Sequence, residues 1–492
     1  MDWKDMKNAN LVAGIHRQID EPESPFISMQ LLHRSLIIAV IAIYLIFVGV
    51  QGRFTPTPTS ASGWVFLALA VNLSLLLLPV IFYKPSYGWF HPLVFGIFTA
   101  LLDHLRKTFI YINGLHWHDA LLGWNAERLT VLVADDLALS TVSLVAYYIG
   151  FFFSPTFGVP RVTFSQPRHL GLKTLLIVTF STVVFAAYME SRGGIIAHLI
   201  SWGRGRSTEL AGQFYWDFFI QFGLVACLLW LAIDRKSHLQ PIFWGCAVTL
   251  LVITFLTSGS RSSVIYCIIL GLLVWQLRER KIAGAKLIIG VVLSLVILSV
   301  LGEFRNSMSR GEIDWNILTH SSSSSSSNES VFGSATGELE ERSGAGNGTF
   351  PILALVPNEV DFLYGSSYLA VLTLPIPRVL WPEKPGLVGG LVGDTFFAGS
   401  PFGVPPGPTG EAYWNFGIAG VLVVFFLFGV FHKWLSSALR KYASEPAALV
   451  PYVLTLYIFK PSGPGLHHWL YSLIPAIVLL YAVGAISFRR RV

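Results

Sequence analysis

Charged residues are scarce in this 492-residue chain. Asp, Glu, Lys and Arg make up 13% of it, whereas hydrophobic residues make up 53%, and the mean hydropathy is +0.61. Soluble globular domains carry roughly 25% charged residues. This composition argues against an ordinary soluble enzyme and predicts an integral membrane protein.

Cysteines and nucleotide-binding motifs are scarce as well. The three cysteines, Cys227, Cys246 and Cys267, lie inside apolar runs, so no disulfide framework is predicted. The sequence has no Walker loop, no GxGxxG motif that opens a helix and no HExxH motif, and ATP-driven transport therefore has no support. The basic isoelectric point of 9.1 comes from residues scattered between apolar runs. That distribution is typical of membrane topology and not of nucleic-acid binding.

A cluster of metal ligands is also missing. The stretch "LHWHDAL", with His116, His118 and Asp119, has the spacing of metal ligands, but no further clustered ligand accompanies it. We therefore expect neither a metal nor another cofactor.

Long apolar runs dominate the sequence. About 20 apolar residues are needed to cross roughly 30 Å of hydrocarbon, which gives an all-α polytopic membrane protein with about 12 transmembrane helices (range 11–14). The expected spans are approximately 35–51, 64–83, 89–103, 130–153, 172–189, 213–233, 240–257, 263–277, 285–302, 413–432, 446–460 and 468–487.

The spans divide the chain into a bundle and one large loop. The polar N-terminal segment lacks the apolar core and cleavage site of a signal peptide, so the first span is expected to remain as an uncleaved anchor. The predicted parts are a cytoplasmic segment 1–34, spans 1–9 over 35–302 with an external loop 190–212, a large external loop 303–412 with low complexity over 321–349, spans 10–12 over 413–487, and a basic tail 488–492.

Basic residues set the expected orientation. With both termini in the cytoplasm, the cytoplasmic segments hold most of the 34 Lys and Arg residues, as the positive-inside rule requires. Most lysines fall inside, whereas the external basic residues are mainly arginines. Because the rigid fork of arginine suits bidentate contacts with phosphate, the outer face is predicted to meet a phosphate-bearing ligand.

Three external stretches carry most of the remaining information. "TSGSRSS" lies between two spans, and the helix that follows it is expected to begin with Ser260 as a cap and Arg261 in its first turn, which suits an anion or an ordinary capped turn. In the loop 190–212, "IIAHLISW" predicts a short helix at the headgroup level, where the flanking arginines could also bind headgroups without specificity. From Phe350, the large loop becomes apolar and is expected to pack over the bundle as short helices and turns, either as part of a site or merely as a lid.

Acidic residues and histidines lie near the external span ends. Glu411 opens the tenth expected span, His467 and His468 open the twelfth, and Asp135, Asp136 and Asp217 lie slightly inside external ends. Carboxylates there are costly unless they are paired or hydrated. They are expected to pair with external arginines or to abstract a proton.

The passages "TSGSRSS", "YGSSYLAVLTLPIPRVLWPEKP" and "GEAYWNFGIAGVLVVFFLFG" resemble the bacterial O-antigen (oligosaccharide repeat-unit) polymerase family, as does the layout of many spans with two sizeable external loops. The resemblance implies an integral-membrane glycosyltransferase with a GT-C-like architecture in the bacterial inner membrane and a periplasmic active site. It implies transfer of a growing glycan from undecaprenyl diphosphate to the terminal sugar of another lipid-linked repeat. A chain-length regulator, or polysaccharide co-polymerase, is the implied partner, beside membrane lipids.

The site residues follow from the charge that this reaction creates. Negative charge grows on the leaving diphosphate, and without a metal fixed arginines must neutralise it, while a base takes the proton of the attacking hydroxyl. Glu411 is the first candidate base, and His467 is the second. The candidates for diphosphate or sugar binding are Arg378, Arg261, Arg192, Arg204, Arg206, Arg305, Lys384, Glu383 and Tyr368.

Other functions remain open at this point. An O-antigen ligase shares the architecture and the lipid diphosphate donor but uses a lipid A core acceptor. A flippase of lipid-linked sugars would show internal repeats and charges along a central path, neither of which the sequence displays. A purely structural scaffold would not explain the arginines of the outer face.

Overall fold

The computed structural model describes residues 38–39, 41–42, 62–82, 90–112, 126–201, 214–258, 261–279, 348–373, 376, 380–381, 383–384, 386–397, 404–462 and 466–487. The chain is mainly helical over these residues. In chain order its elements are α1 (Ser62–Phe82), α2 (Pro92–Ile112), α3 (Ala126–Phe153), β1 (Thr163–Phe164), α4 (Leu170–Ser191), α5 (Ile195–Ser201), α6 (Phe214–Ile233), α7 (Pro241–Ser258), α8 (Arg261–Glu279), α9 (Thr349–Leu355), α10 (Ser366–Ala370), α11 (Val388–Phe396), α12 (Gly407–Tyr442), α13 (Pro446–Ile458), α14 (Leu466–Ala482) and β2 (Ile486–Ser487).

Apolar runs form helices because lipid offers no partner for backbone polar groups, which a helix satisfies internally. Three of these helices begin at a proline, Pro92, Pro241 or Pro446, a residue that fits the first helical position. By length and composition, four helices can cross a membrane: Glu127–Phe153, Leu170–Ser191, Tyr215–Ile233 and Gly407–Tyr442. The prediction of an all-α membrane protein is thus confirmed in its coarse form.

The expected spans agree with the helices wherever the structure describes them. The largest difference is in α12, which begins at Gly407 instead of 413 and continues to Tyr442 instead of 432. The expected span 285–302 lies outside the described residues, as does most of 35–51. The short helix predicted in the loop 190–212 is confirmed as α5, and α8 begins at Arg261 as expected.

Among the described helices, α3 and α12 have backbones that approach each other very closely. Gly150 of α3 lies against the backbone carbonyl of Phe426, and Gly429 of α12 lies against that of Tyr147. Small residues allow such close backbone approach between membrane helices. One polar bond reinforces the pair, between the Tyr147 hydroxyl and His432 Nδ1 at 2.7 Å.

The helices α3 and α12 run parallel, which defines two ends of the bundle. We call the end where both helices begin the loop face, because the described residues between 348 and 397 lie there, and Phe350 of α9 packs with Leu129 and Leu132 of α3. We call the opposite end the strand face. There, β1 and β2 pair antiparallel, with Thr163 opposite Ser487.

Hydrophobic side chains collect in several cores. The largest surrounds α6, α13 and α14 and contains Trp230, and a second lies between α2, α3 and α12. A smaller core at the loop face joins Ile352, Val392 and Val404 to Trp414 of α12. Short helices and turns therefore pack over the start of α12, as the apolar part of the large loop predicts.

Candidate functional site at the start of helix α12

Helix α12 breaks one third of the way along its length. Phe416 (φ −147°, ψ 20°) and Gly417 (φ 61°, ψ −150°) depart from helical geometry. Just before this break, the Leu363 N–H donates to the Trp414 carbonyl at 3.0 Å, and the Tyr364 N–H donates to the Asn415 carbonyl at 3.2 Å. The loop-face segment is thus bound to α12 through its backbone.

A buried side-chain network continues this connection. The Gly365 N–H donates to Asn415 Oδ1, and Asn415 Nδ2 donates to Ser367 Oγ and to the Glu411 carbonyl. Because Ser367 Oγ accepts from Asn415, its own hydrogen goes to Glu411 Oε1. All four bonds measure 2.8 Å, and Glu411 and Asn415 are only 6% and 0% exposed.

Tyr368 adds a phenol beside this carboxylate. Burial raises the pKa of the Tyr368 hydroxyl, and the nearby charge of Glu411 raises it further, so the phenol keeps its proton. The hydroxyl oxygen is buried and has no hydrogen-bond partner among the described residues. Since this O–H is unused within that part of the chain, it is available to a ligand.

The network leaves Glu411 with one free oxygen. Oε1 accepts from Ser367, whereas Oε2 makes no hydrogen bond to any described residue. A carboxylate fixed through one oxygen can accept a proton at the other. The site can therefore combine a proton acceptor, Glu411, with a hydrogen-bond donor, Tyr368.

Most of the candidate arginines lie outside the described residues, namely Arg378, Arg204, Arg206 and Arg305. Arg192 follows α4 at the loop face, with its guanidinium 5.6 Å from the Tyr188 ring centroid. Arg261 is the first residue of α8. The expectation that arginines converge on a diphosphate stays a prediction.

Two further candidates of the large loop, Lys384 and Glu383, lie within the described residues. Lys384 Nζ donates to the carbonyls of Ile376 at 2.9 Å and Thr373 at 3.2 Å, so this lysine closes the turn between them. Glu383 is exposed. Lys384 thus has a structural role in addition to any contact with a sugar.

The structure separates His467 from Glu411. His432 Nε2 donates to the Phe459 carbonyl at 2.8 Å, and the Trp469 ring stacks on the Phe459 ring at 4.6 Å, which places the start of α14 beside His432. Glu411 precedes His432 by roughly 20 residues, or about 30 Å of helix. The two candidate bases therefore do not belong to one site, and His467 instead contacts His468 at 4.1 Å between ring centroids.

Sequence reasoning missed Lys460, in the turn between α13 and α14. Its Nζ lies 4.5 Å from the Tyr457 ring centroid and 5.9 Å from that of Phe95. The available signal was a lysine between two apolar runs, which a charge count assigns to topology alone.

The other acidic candidates are dispersed. Asp217 Oδ2 accepts from Gln221 Nε2 at 2.9 Å, within α6, and Asp135 and Asp136 both lie on α3, where Asp136 is buried. The described ranges contain no group of three or more possible metal ligands, and His116, His118 and Asp119 lie outside them.

Comparison with protein families gives one match. The family described as "Domain of unknown function (DUF8712)" matches residues 194–442, just over half of the 492 residues. The chain belongs to the DUF8712 family. Neither the curated proteins nor the solved structures contain a significant match.

The bounds of the DUF8712 match separate the candidate residues inside it from those outside it. It begins at residue 194, two positions after Arg192, and ends at Tyr442, the last residue of α12. The whole Glu411 network therefore lies within it, as do Arg261 and Arg378. His467 and Lys460 lie beyond its end. The start of α12 is therefore the candidate site that lies within the residues matched by DUF8712.

Proposed function

We propose that this protein polymerises oligosaccharide repeat units that are linked to undecaprenyl diphosphate. In this proposal the loop face is periplasmic and the termini are cytoplasmic. The described helices and the expected spans 35–51 and 285–302 make up a twelve-span inner-membrane glycosyltransferase with a GT-C-like architecture. Donor and acceptor are both lipid-linked, and a chain-length regulator assists.

The observation that carries the proposal is the joining of two motifs. "YGSSY" of the large loop and "GEAYWN" of α12 open two of the three passages that resemble the polymerases. They meet through Ser367, Asn415 and Glu411 at 2.8 Å. Two separate stretches of that resemblance thus form one buried polar unit at one end of a membrane-length helix.

The proposed reaction is a displacement at the anomeric carbon of the donor. The acceptor hydroxyl forms the new C–O bond, the bond to the diphosphate breaks, and the electron pair of that bond leaves with the diphosphate. Glu411 takes the hydroxyl proton through Oε2 while Ser367 holds Oε1. A direct displacement with inversion needs only this one base.

The leaving diphosphate gains negative charge as the bond breaks. Fixed positive donors stabilise such charge, each charge-assisted hydrogen bond contributing roughly 1.5–3 kcal/mol. Arg378 and Arg261 have this role in the proposal, with Arg192, Arg204, Arg206 and Arg305 assisting. The protonated Tyr368 donates to a phosphate or sugar oxygen.

Polymer length on a gel tests the proposal, in cells whose only copy carries Arg378→Lys or Glu411→Gln. We expect the ladder to collapse to a single repeat at normal protein abundance, because lysine lacks the bidentate fork and glutamine cannot take a proton. For Glu411→Gln the expected loss of rate is about 10²–10⁴-fold, the usual contribution of a general base.

Two matched variants serve as controls for this experiment. Arg440→Lys changes an exposed arginine at the strand face, and Glu359→Gln changes an exposed glutamate at the loop face; both should keep the ladder. Full activity of Glu411→Gln would remove Glu411 as the base. Transfer of glycan to a lipid A core, without a ladder, would assign a ligase instead.

A further inference from the structure

The described residues 364–373, 376 and 380–381 expose an unusual amount of apolar surface at the loop face. Leu369, Leu372 and Leu380 are 63%, 72% and 77% exposed, and Tyr364 and Trp381 are exposed as well. We call these five side chains the apolar face. In water, a contiguous exposed apolar surface is unfavourable unless something covers it.

This segment is firmly held at both of its ends. Its start is bound to α12 through Gly365 and Ser367. Its end is closed by Lys384, whose Nζ donates to the Thr373 and Ile376 carbonyls and whose backbone N–H donates to the Trp381 carbonyl at 3.2 Å. Hydrogen bonds therefore fix the described residues on both sides of the apolar face.

The apolar face adjoins the exposed apolar surface of α12. Gly365 packs against the ring of Phe416, since a Cβ at Gly365 would lie 3.1 Å from the Phe416 Cζ. Phe416 is exposed, and so are Ile418, Leu422 and Val423 further along α12. Because α12 is long and apolar enough to cross a membrane, this surface of the helix faces lipid, and the apolar face prolongs it.

The composition of the segment fits the boundary of a bilayer. Tyr364 and Trp381 are residue types that concentrate where hydrocarbon meets headgroups, and the leucines supply the buried side of an interfacial element. Exposed polar residues, among them Glu359, Asp361 and Glu383, flank the segment in the sequence. A protein partner would not require continuity with the lipid-facing surface of α12.

We propose that the segment carrying the apolar face, described at residues 364–373, 376 and 380–381, inserts into the lipid leaflet at the loop face. The apolar face contacts the acyl chains of that leaflet, and the flanking polar residues meet the headgroups and water. Ser367 and Tyr368 belong to the same segment, so the insertion holds the Glu411 network at headgroup depth. The inference depends on the packing and exposure of these residues and not on the reaction proposed above.

Spin labels on the full-length protein in lipid nanodiscs test this inference. Leu372→Cys and Leu380→Cys are labelled in turn, and collisions with oxygen, which enters lipid, are compared with collisions with a water-soluble nickel chelate. Val423→Cys on α12 is the lipid reference, and Glu359→Cys is the water reference. The unchanged protein gives the background, because Cys227, Cys246 and Cys267 are buried.

We expect oxygen collisions to exceed nickel collisions several-fold at positions 372 and 380, between the values of the two references and closer to that of 423. Nickel access equal to that at 359 would mean that the segment lies in water and would overturn the inference. Low access to both reagents would mean that protein covers the apolar face, which would overturn it as well. Since Leu372 and Leu380 are highly exposed, neither substitution removes a large packing contact.

Discussion

Ser367 is the residue on which the site depends most. Its hydroxyl accepts from Asn415 and donates to Glu411, so it links the loop segment to two buried polar side chains of α12. The neighbouring Ser366 is exposed. Two adjacent serines therefore differ sharply in what their hydroxyl groups hold together.

We predict that Ser367→Ala destabilises the protein by about 1.5–3 kcal/mol, because it leaves a buried carboxylate and a buried amide without a shared partner. Ser366→Ala should be nearly neutral. The unfolding temperature of both variants in nanodiscs measures the difference. Equal unfolding temperatures would show that the network does not stabilise the loop face.

At the scale of elements, apolar run length predicts the helices well, since each expected span within the described residues corresponds to a helix. It predicts the start of α12 poorly, because "GPTGEAYWN" is too polar to belong to a span. That stretch is helical because Trp414 is buried under the loop-face helices and Ala412 is buried in the core between α2, α3 and α12. The length of an apolar run predicts a helix that contacts lipid, but it does not predict a helix that is covered by another part of the chain.

The joining of Ser367 to Asn415 could not be predicted for a related reason. These residues lie 48 positions apart, and no local periodicity couples them. The sequence does single out Glu411 as a polar residue at a span end, and Tyr368 and Glu411 do prove to be neighbours. The break at Phe416 and Gly417, which turns the chain so that the loop can bind, has only a glycine as its signal.

Gly417→Ala tests the importance of this break. At φ 61° and ψ −150° an L-residue is strained by about 1–3 kcal/mol, and the new Cβ would lie 3.4 Å from the Phe362 ring. We expect a lower unfolding temperature and loss of the polymer ladder. Gly245→Ala in α7, where a Cβ meets nothing within 4 Å, should be neutral or stabilising.

At the scale of the whole molecule, lysines distinguish the two ends of the bundle. Lys173, Lys433 and Lys441 donate to backbone carbonyls near the strand face, and Lys236 is exposed between α6 and α7. At the loop face, Lys384 is the one lysine whose side chain the described residues place. By the positive-inside rule, this asymmetry favours a cytoplasmic strand face and a periplasmic loop face.

Thiol labelling of cells tests this orientation directly. We predict that a membrane-impermeant maleimide labels Glu359→Cys in intact spheroplasts but labels Lys236→Cys only after detergent treatment. Both positions are exposed and lie at opposite ends of the bundle, and the native thiols are buried. The reverse pattern would place the Glu411 network in the cytoplasm, on the wrong side of the membrane for repeat units that are polymerised in the periplasm. Orientation alone can therefore exclude the proposed function, even if every distance in the site is right.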